Sequence, residues 1–223
     1  MKRCSIIFVA LLLVGCQKAD SKKIFVLSGS GDTPALKAEL AKGMNIDEMN
    51  ALMKENNATP LHVAALSGQT EALRALLDAG FKPDLRTEND GQTALMTAAQ
   101  AGKVETIAFL ISKGADPKAE ATKPVGMTPF EFAVIGGHVD AIELLAKYAT
   151  SMAASKSLIL AASNGNMDVV KAIISSGLPL DYQGGSMAAK ENRHLEVAAY
   201  IDDHDDVGKS RRRIEGFVKQ LGK

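Results

Sequence analysis

The 223-residue sequence has no Trp, and its seven Phe and three Tyr leave aromatics at only 4%. That excludes a core of large aromatic side chains and the stacking platforms on which single-stranded nucleic acids bind. Neither sign of charge is in excess, since 26 Lys and Arg stand against 26 Asp and Glu. Neutralising a phosphate backbone needs a cationic surplus, so a nucleic-acid partner is not expected. Two Cys cannot supply a disulfide framework. What is present, 46% apolar and 23% charged residues, is the balance of a folded chain and excludes a disordered one.

The first residues read as an address. Lys2 and Arg3 precede an unbroken apolar run, Ile6 to Val14. As a helix this run rises about 14 Å, half of a bilayer core, which is too short for a span and right for a secretory signal. The run closes on Leu13-Val14-Gly15-Cys16. This tetrapeptide resembles the processing site of bacterial lipoproteins. The resemblance implies removal of residues 1–15 with Cys4, lipidation of Cys16, and a bacterial envelope location. Gln17 in place of Asp after the Cys implies the outer membrane, facing the periplasm. Residues 16–23 then form the lipidated Cys and a short tether, and no thiol remains for redox or nucleophilic work.

The rest of the chain repeats, with array boundaries expected at 24–204. Aligned positions are Gly31, Gly68, Gly102, Gly137, Gly165 and Asn192. Five residues later come Leu36, Leu73, Ile107, Ile142, Val170 and Val197; twelve later come Gly43, Gly80, Gly114, Ala149, Gly177 and His204. Before the aligned position lies a short helix opened by a capping Thr, as in Thr59-Pro60-Leu61-His62-Val63-Ala64-Ala65, and Thr93 and Thr128 open the next two. Thr caps by accepting from a free backbone N–H, and Pro at the first helical position forfeits nothing. After the aligned position a longer helix carries apolar residues at helical spacing, such as Ile107, Leu110 and Ile111.

These residues resemble the ankyrin repeat family, most closely at Thr59–Ala65, at Asp90-Gly91-Gln92-Thr93-Ala94-Leu95 and at Gly114-Ala115-Asp116-Pro117. The resemblance implies an all-α, ankyrin-like solenoid of about six helix-turn-helix repeats with short β-turn fingers. The last two spacings are five or six residues short where the family has its finger, so copies five and six should be stubbier. The fingers should be best formed at Asp84–Gly91 and Asp116–Gly126, and copy one should act as an N-terminal cap.

Residues 205–223 lie beyond the array. Val207, Ile214, Phe217, Val218 and Leu221 share a helical face between Lys and Arg residues. They predict a basic C-terminal amphipathic helix that covers the last repeat or meets anionic lipid or an acidic partner.

Candidate chemistry is sparse. His62 holds a helix-capping position, and no His pair has metal-binding spacing. The acidic run Asp202-Asp203-His204-Asp205-Asp206 invites a divalent ion but fails the calcium-loop pattern, with Arg213 at the twelfth position. Ser28-Gly29-Ser30-Gly31 lacks the spacing and the Lys of a phosphate loop. No catalytic group, metal or cofactor is expected.

What remains is a surface. Repeat arrays bind other proteins on a concave face of finger tips and short-helix ends. Carried over from the family, that face comprises Glu55, Asn56, Ala58, Leu66 and Ser67; then Asn89, Asp90, Gln92, Gln100 and Ala101; then Pro124, Val125, Met127, Ile135 and Gly136; and finally Ser163 and Asn164. Leu66, Val125, Met127 and Ile135 are apolar where solvent is expected, which centres the surface on copy four. The expected function is a lipid-anchored scaffold for a protein partner, with a membrane-surface adaptor working through the basic tail and a metal-dependent protein using Asp202–Asp206 as alternatives.

Overall fold

A computed structural model describes residues 19–43, 49 and 53–206. The signal, Cys16 and the tail from 207 onward lie outside the described residues. Within them are twelve helices in six pairs: α1 (Ser21–Ser30) with α2 (Thr33–Leu40), α3 (Pro60–Ser67) with α4 (Thr70–Asp78), α5 (Ala94–Gln100) with α6 (Val104–Ser112), α7 (Pro129–Gly136) with α8 (Val139–Ala146), α9 (Ser151–Ser163) with α10 (Met167–Ser175), and α11 (Tyr182–Glu191) with α12 (Leu195–His204). Odd-numbered helices stack on odd ones and even on even, so the chain is a two-layered ankyrin-type solenoid. No described helix is long and apolar enough to cross a membrane.

Local chemistry sets the starts. Thr59 and Thr93 are extended and accept at Oγ1 from the backbone N–H of His62 and Met96, each at 3.4 Å. Thr128 donates its N–H and its hydroxyl to Glu131 Oε2, at 2.9 and 3.0 Å. Each satisfies backbone groups that a helix end leaves bare. Between the layers Leu61, Leu95, Phe130 and Leu158 meet Leu73, Leu76, Ile107, Leu110, Ile142 and Leu145, all buried. A lone pair would leave much of that surface wet, and each such side chain gains about 1.5–3 kcal/mol only when neighbours cover it.

Every odd helix ends at a residue of positive φ. Gly31, Gly68, Gly102, Gly137 and Gly165 have φ between 65° and 79°. The residue that follows packs back over the glycine of the preceding copy. A Cβ on Gly31 would lie 2.7 Å from Gln69 Oε1, one on Gly68 3.2 Å from Lys103 Cδ, and one on Gly102 or Gly165 only 2.5 Å from the ring of His138 or His194. At Gly102 and Gly165 glycine is therefore required twice over, by the left-handed turn and by the ring stacked against it, while at Gly31 and Gly68 the flexible Gln69 and Lys103 can swing aside and the turn makes the demand.

Copy six corrects the alignment. Asn192 has φ −93°, and the positive φ belongs to Arg193, at 65°. The equivalent residue is Arg193, and the twelfth position after it is the buried Asp205 rather than His204. The short-then-long order holds in copies two and three alone: copies four and six have helices of equal length, copy one reverses it with 10 and 8 residues, and copy five reverses it most, α9 having 13 residues and α10 9. The extra turns of α9 begin at Thr150, which caps Ala153 N–H at 3.1 Å, and they occupy the chain length that copies three and four spend on fingers. Ser28 to Ser30 belong to α1, where the Ser28 hydroxyl donates to Ile24 O at 2.7 Å.

Copy one begins earlier than residue 24. Asp20 caps α1, Ala19 is buried, and Ala19 N–H donates to Gly43 O at 3.0 Å. Asp20 N–H donates to Glu39 Oε1 at 2.8 Å, while Lys42 and Lys23 lie 2.9 and 3.3 Å from Glu39 Oε2. The Asp20 amide, then the two ammonium groups, holds the Glu39 carboxyl down to about 2.

Gly102→Ala should destabilise the chain by about 2 kcal/mol or more, at least 1 kcal/mol beyond Gly114→Ala, whose new Cβ meets open space. Arg193→Gly should leave stability unchanged or raised. Urea midpoints measure both, and equal costs for the two Ala variants would contradict the stacking role.

Candidate functional site

Two fingers project between the helix pairs. The first closes with Thr87 N–H donating to Gln92 O at 2.9 Å and an isolated bridge between Arg86 and Thr93. The second closes with Ala121 N–H donating to Met127 O at 2.8 Å and a bridge between Thr122 and Val125. Both lie where the spacing predicts them.

Polar groups join the fingers into one ledge. Arg86 Nη1 donates to Gly91 O at 2.8 Å and across to Glu120 O at 2.7 Å. The amides of Thr122 and Lys123 donate to Asp90 O at 2.8 and 3.1 Å. On the other side, Asn57 Oδ1 accepts from Asn89 N–H at 2.8 Å. Asp84 Oδ1 accepts from Asp116 N–H at 3.0 Å. The tips are thus satisfied by one another, and the ledge is preorganised.

His62 ties α3 to the first finger. Nε2 lies 3.0 Å from Gln92 O, which can only accept, so Nε2 carries the proton. Nδ1 then accepts from Thr59, 3.3 Å from its amide and 2.8 Å from its hydroxyl. The ring is buried and neutral. Burial pushes its pKa below the usual imidazole range, against smaller upward pulls from the Gln92 carbonyl and Asp90. His62 is structural, as its capping position suggests.

The expected surface residues divide into four groups, the last of them Met127 alone. Glu55, Asn56, Leu66, Ser67, Asn89, Gln100, Pro124, Val125, Ile135 and Asn164 are exposed. Ala58, Ala101, Gly136 and Ser163 are half-buried. Asp90 and Gln92 are half-buried and engaged inside the ledge: the Asp90 carboxylate accepts from the Thr87 hydroxyl and from Gln92 Nε2, the latter at 3.1 Å. Met127 corrects the apolar centre proposed for copy four, because it packs against the core and is not a free apolar contact.

The exposed apolar centre lies instead across copies four and five. Ile135 on α7 is 48% exposed and Leu160 on α9 is 42% exposed. They flank a cleft of about 170 Å³ lined also by Val134, Ala161 and Val169, with Asn164 and Asn166 at its polar edge. Leu160 and the more exposed Met152 escape a reading that aligns on the glycines alone. The signal was there: Met152, Lys156 and Leu160 recur every four residues and make one exposed stripe on α9. Leu66 stands apart, because Gln100 takes its place in copy three.

The acidic run is partly engaged by its own fold. Asp202 Oδ2 accepts from Lys190 Nζ at 2.8 Å, Asp205 is buried, and among the described residues no group of His, Cys, Asp or Glu is placed to hold a metal.

Comparison with known proteins agrees with this geometry. A family model described as ankyrin repeats, in three copies, matches residues 24–121 and 84–157. The chain is 34% identical over 165 residues to the transient receptor potential cation channel subfamily A member 1 homolog of Caenorhabditis elegans, covering 70% of this chain and 13% of that protein. It is 27% identical over 188 residues to the ankyrin repeat and KH domain-containing protein mask-1 of the same organism, covering 80% of this chain and 7% of that one. The chain thus spans a small part of the curated relatives it matches. Among solved structures, the ankyrin repeat domain of human ASB11 superposes with a TM-score of 0.68 at 24% identity, covering 82% of this chain and 83% of that one.

A neutral buried imidazole makes stability depend on pH. The folded pKa of His62 is depressed, so its contribution is complete above the unfolded value of about 6.5 and erodes as pH falls below it. Glu39, held to about 2, adds its own loss as pH falls from 4.5 toward 2. Urea unfolding should show lower stability at pH 5 than at pH 7, and His62→Gln should flatten that slope while lowering stability at pH 7. An equal slope in the variant would remove His62 as its source.

Proposed function

The chain belongs to the ankyrin repeat family, and from that premise we propose that it is a lipid-anchored envelope protein that binds a protein partner through its concave face. Ankyrin repeats support protein–protein interaction, and the match indicates no enzymatic family. The finer reading rests on two supports. The lipoprotein-like start at Leu13–Cys16 supports the anchor, and Gln17 after it supports an outer-membrane address facing the periplasm. The cleft between Ile135 and Leu160 supports the contact surface, and it carries the reading.

Large apolar side chains held side by side in water gain when a partner covers them, and a few such anchors dominate most interfaces. Ile135 and Leu160 sit on rigid helices, so little order is lost when they are covered. Asn164 and Asn166 supply a polar edge at the cleft. The finger ledge adds exposed side chains, Asn89 and Val125, whose backbone is already fixed. The partner is either an envelope enzyme that the array stabilises or an envelope toxin that it inhibits, and the identity of the captured protein separates the two.

Ile135→Glu with Leu160→Glu should weaken partner capture by about 2 kcal/mol or more, thirtyfold or greater, while circular dichroism and thermal midpoint stay near the parent's because both side chains are exposed. Capture from envelope extracts, followed by titration with the identified partner, measures the loss; undiminished affinity in a folded variant moves the site elsewhere. Cys16→Ser should shift the chain from the detergent phase to the aqueous phase and abolish an acyl mass, and unchanged partitioning would end the anchor reading.

A further inference from the structure

We propose that copy one is the membrane-facing end of the array and that its lysines bind anionic phospholipid headgroups around the anchor. The inference rests on the lipid-anchor reading and adds to it an orientation and a lipid preference.

The geometry begins at Ala19. Its amide is bound to Gly43 O, its side chain is buried, and the next amide, Asp20, is bound to Glu39. The fold is therefore fixed three residues beyond Cys16. Three residues reach at most about 11 Å. Whatever membrane holds Cys16, the edge of copy one formed by the start of α1 and the end of α2 lies within that distance of it.

That edge is basic. Lys22 and Lys23 occupy the first turn of α1, and Lys37 and Lys42 lie at the end of α2, all four exposed. Two acids stand among them, Asp20, exposed at the cap of α1, and Glu39, buried and enclosed by the Asp20 amide, Lys23 and Lys42, so four lysines against two carboxylates leave an excess of two positive charges. Lys23 and Lys42 keep side-chain exposures of 54% and 38% while they bridge it, so they still present charge outward. The fingers offer no matching field, because Lys82 and Arg86 in the first are outnumbered by Asp84, Glu88 and Asp90, and in the second Lys118 and Lys123 are matched by Asp116 and Glu120.

Distance then decides which copies feel the surface. The field of an anionic leaflet fades within about 8 Å at physiological salt, comparable to the tether's reach of about 11 Å. Stacked helices step about 8–10 Å per copy, so with copy one on the headgroups copy five stands about 40 Å away. An array lying on its fingers would bring their acidic side chains to the lipid together with the lysines of copy one. The arrangement favoured by charge stands the array on copy one and holds the cleft of copies four and five clear of the membrane.

The test uses the mature acylated chain with one added thiol, either Ala41→Cys or Ser175→Cys. These positions are equivalent, each ten residues after the positive-φ glycine of its copy. Each carries a donor dye, and the protein is reconstituted in phosphatidylglycerol-containing vesicles with acceptor-labelled headgroups. Intact mass first establishes the acyl group; its absence overturns the anchor reading and the orientation with it. With the acyl group present, energy transfer from position 41 should exceed that from position 175 by at least about fivefold, given the 40 Å separation. In purely zwitterionic vesicles, or after Lys22→Glu with Lys37→Glu, which leaves the Glu39 cluster intact, that ratio should fall by half or more. A ratio near one in anionic vesicles, or a ratio indifferent to both lipid charge and charge reversal, overturns the orientation while leaving the anchor standing.

Discussion

Each odd helix of this chain ends on a left-handed residue, and from Gly31 to Gly165 the space above that residue is taken by a side chain of the next copy. The two demands meet at one position. A side chain there would strain the turn and push against Gln69, Lys103, His138 or His194. The spacing between copies follows from this contact, and so do the registry of the helix layers and the burial of their shared core. Because each copy touches only its neighbours, stability is a chain of such joints.

The joints are alike, but the surface they carry is not. Between Lys82 and Met127 the fingers are bound to one another through backbone carbonyls and amides, and Arg86 spans them. Beyond Thr150 the chain spends its length on a longer α9 instead. One part of the concave face is a polar ledge held by hydrogen bonds, and the other is a helical face with the Ile135–Leu160 cleft. A partner that spans both meets polar loops on one side and apolar helix on the other, an arrangement that favours orientation by the ledge and affinity from the cleft.

Much of this was legible in the sequence. The glycine period, the capping Thr residues and the short final spacings located six helix pairs, two fingers and the stubbier end. They did so because capping, left-handed turns and helical spacing are local demands written in residue types. What the sequence hid was set by packing. Asn192 looked equivalent to the glycines because Asn tolerates a left-handed turn, yet Arg193 takes that conformation. Met127 and Val125 are both apolar finger residues, and only the fold turns one to the core and the other to solvent. Asp90 and Gln92 occupy variable positions but are engaged inside the ledge. The pairing of Ile135 with Leu160 crosses two copies, and a copy-by-copy alignment does not contain it.

Arg193 bears on how this chain could have grown. A copy inserted between Gly68 and Gly102 would find a bare glycine beneath it and offer another above. A copy appended after α12 would have to seat its first side chain against the Cβ of Arg193, where every earlier joint has none. Lengthening is therefore permitted in the interior and opposed at this end. Relatives of different length should differ by whole copies from the middle of the array, with an arginine-like terminus inherited unchanged.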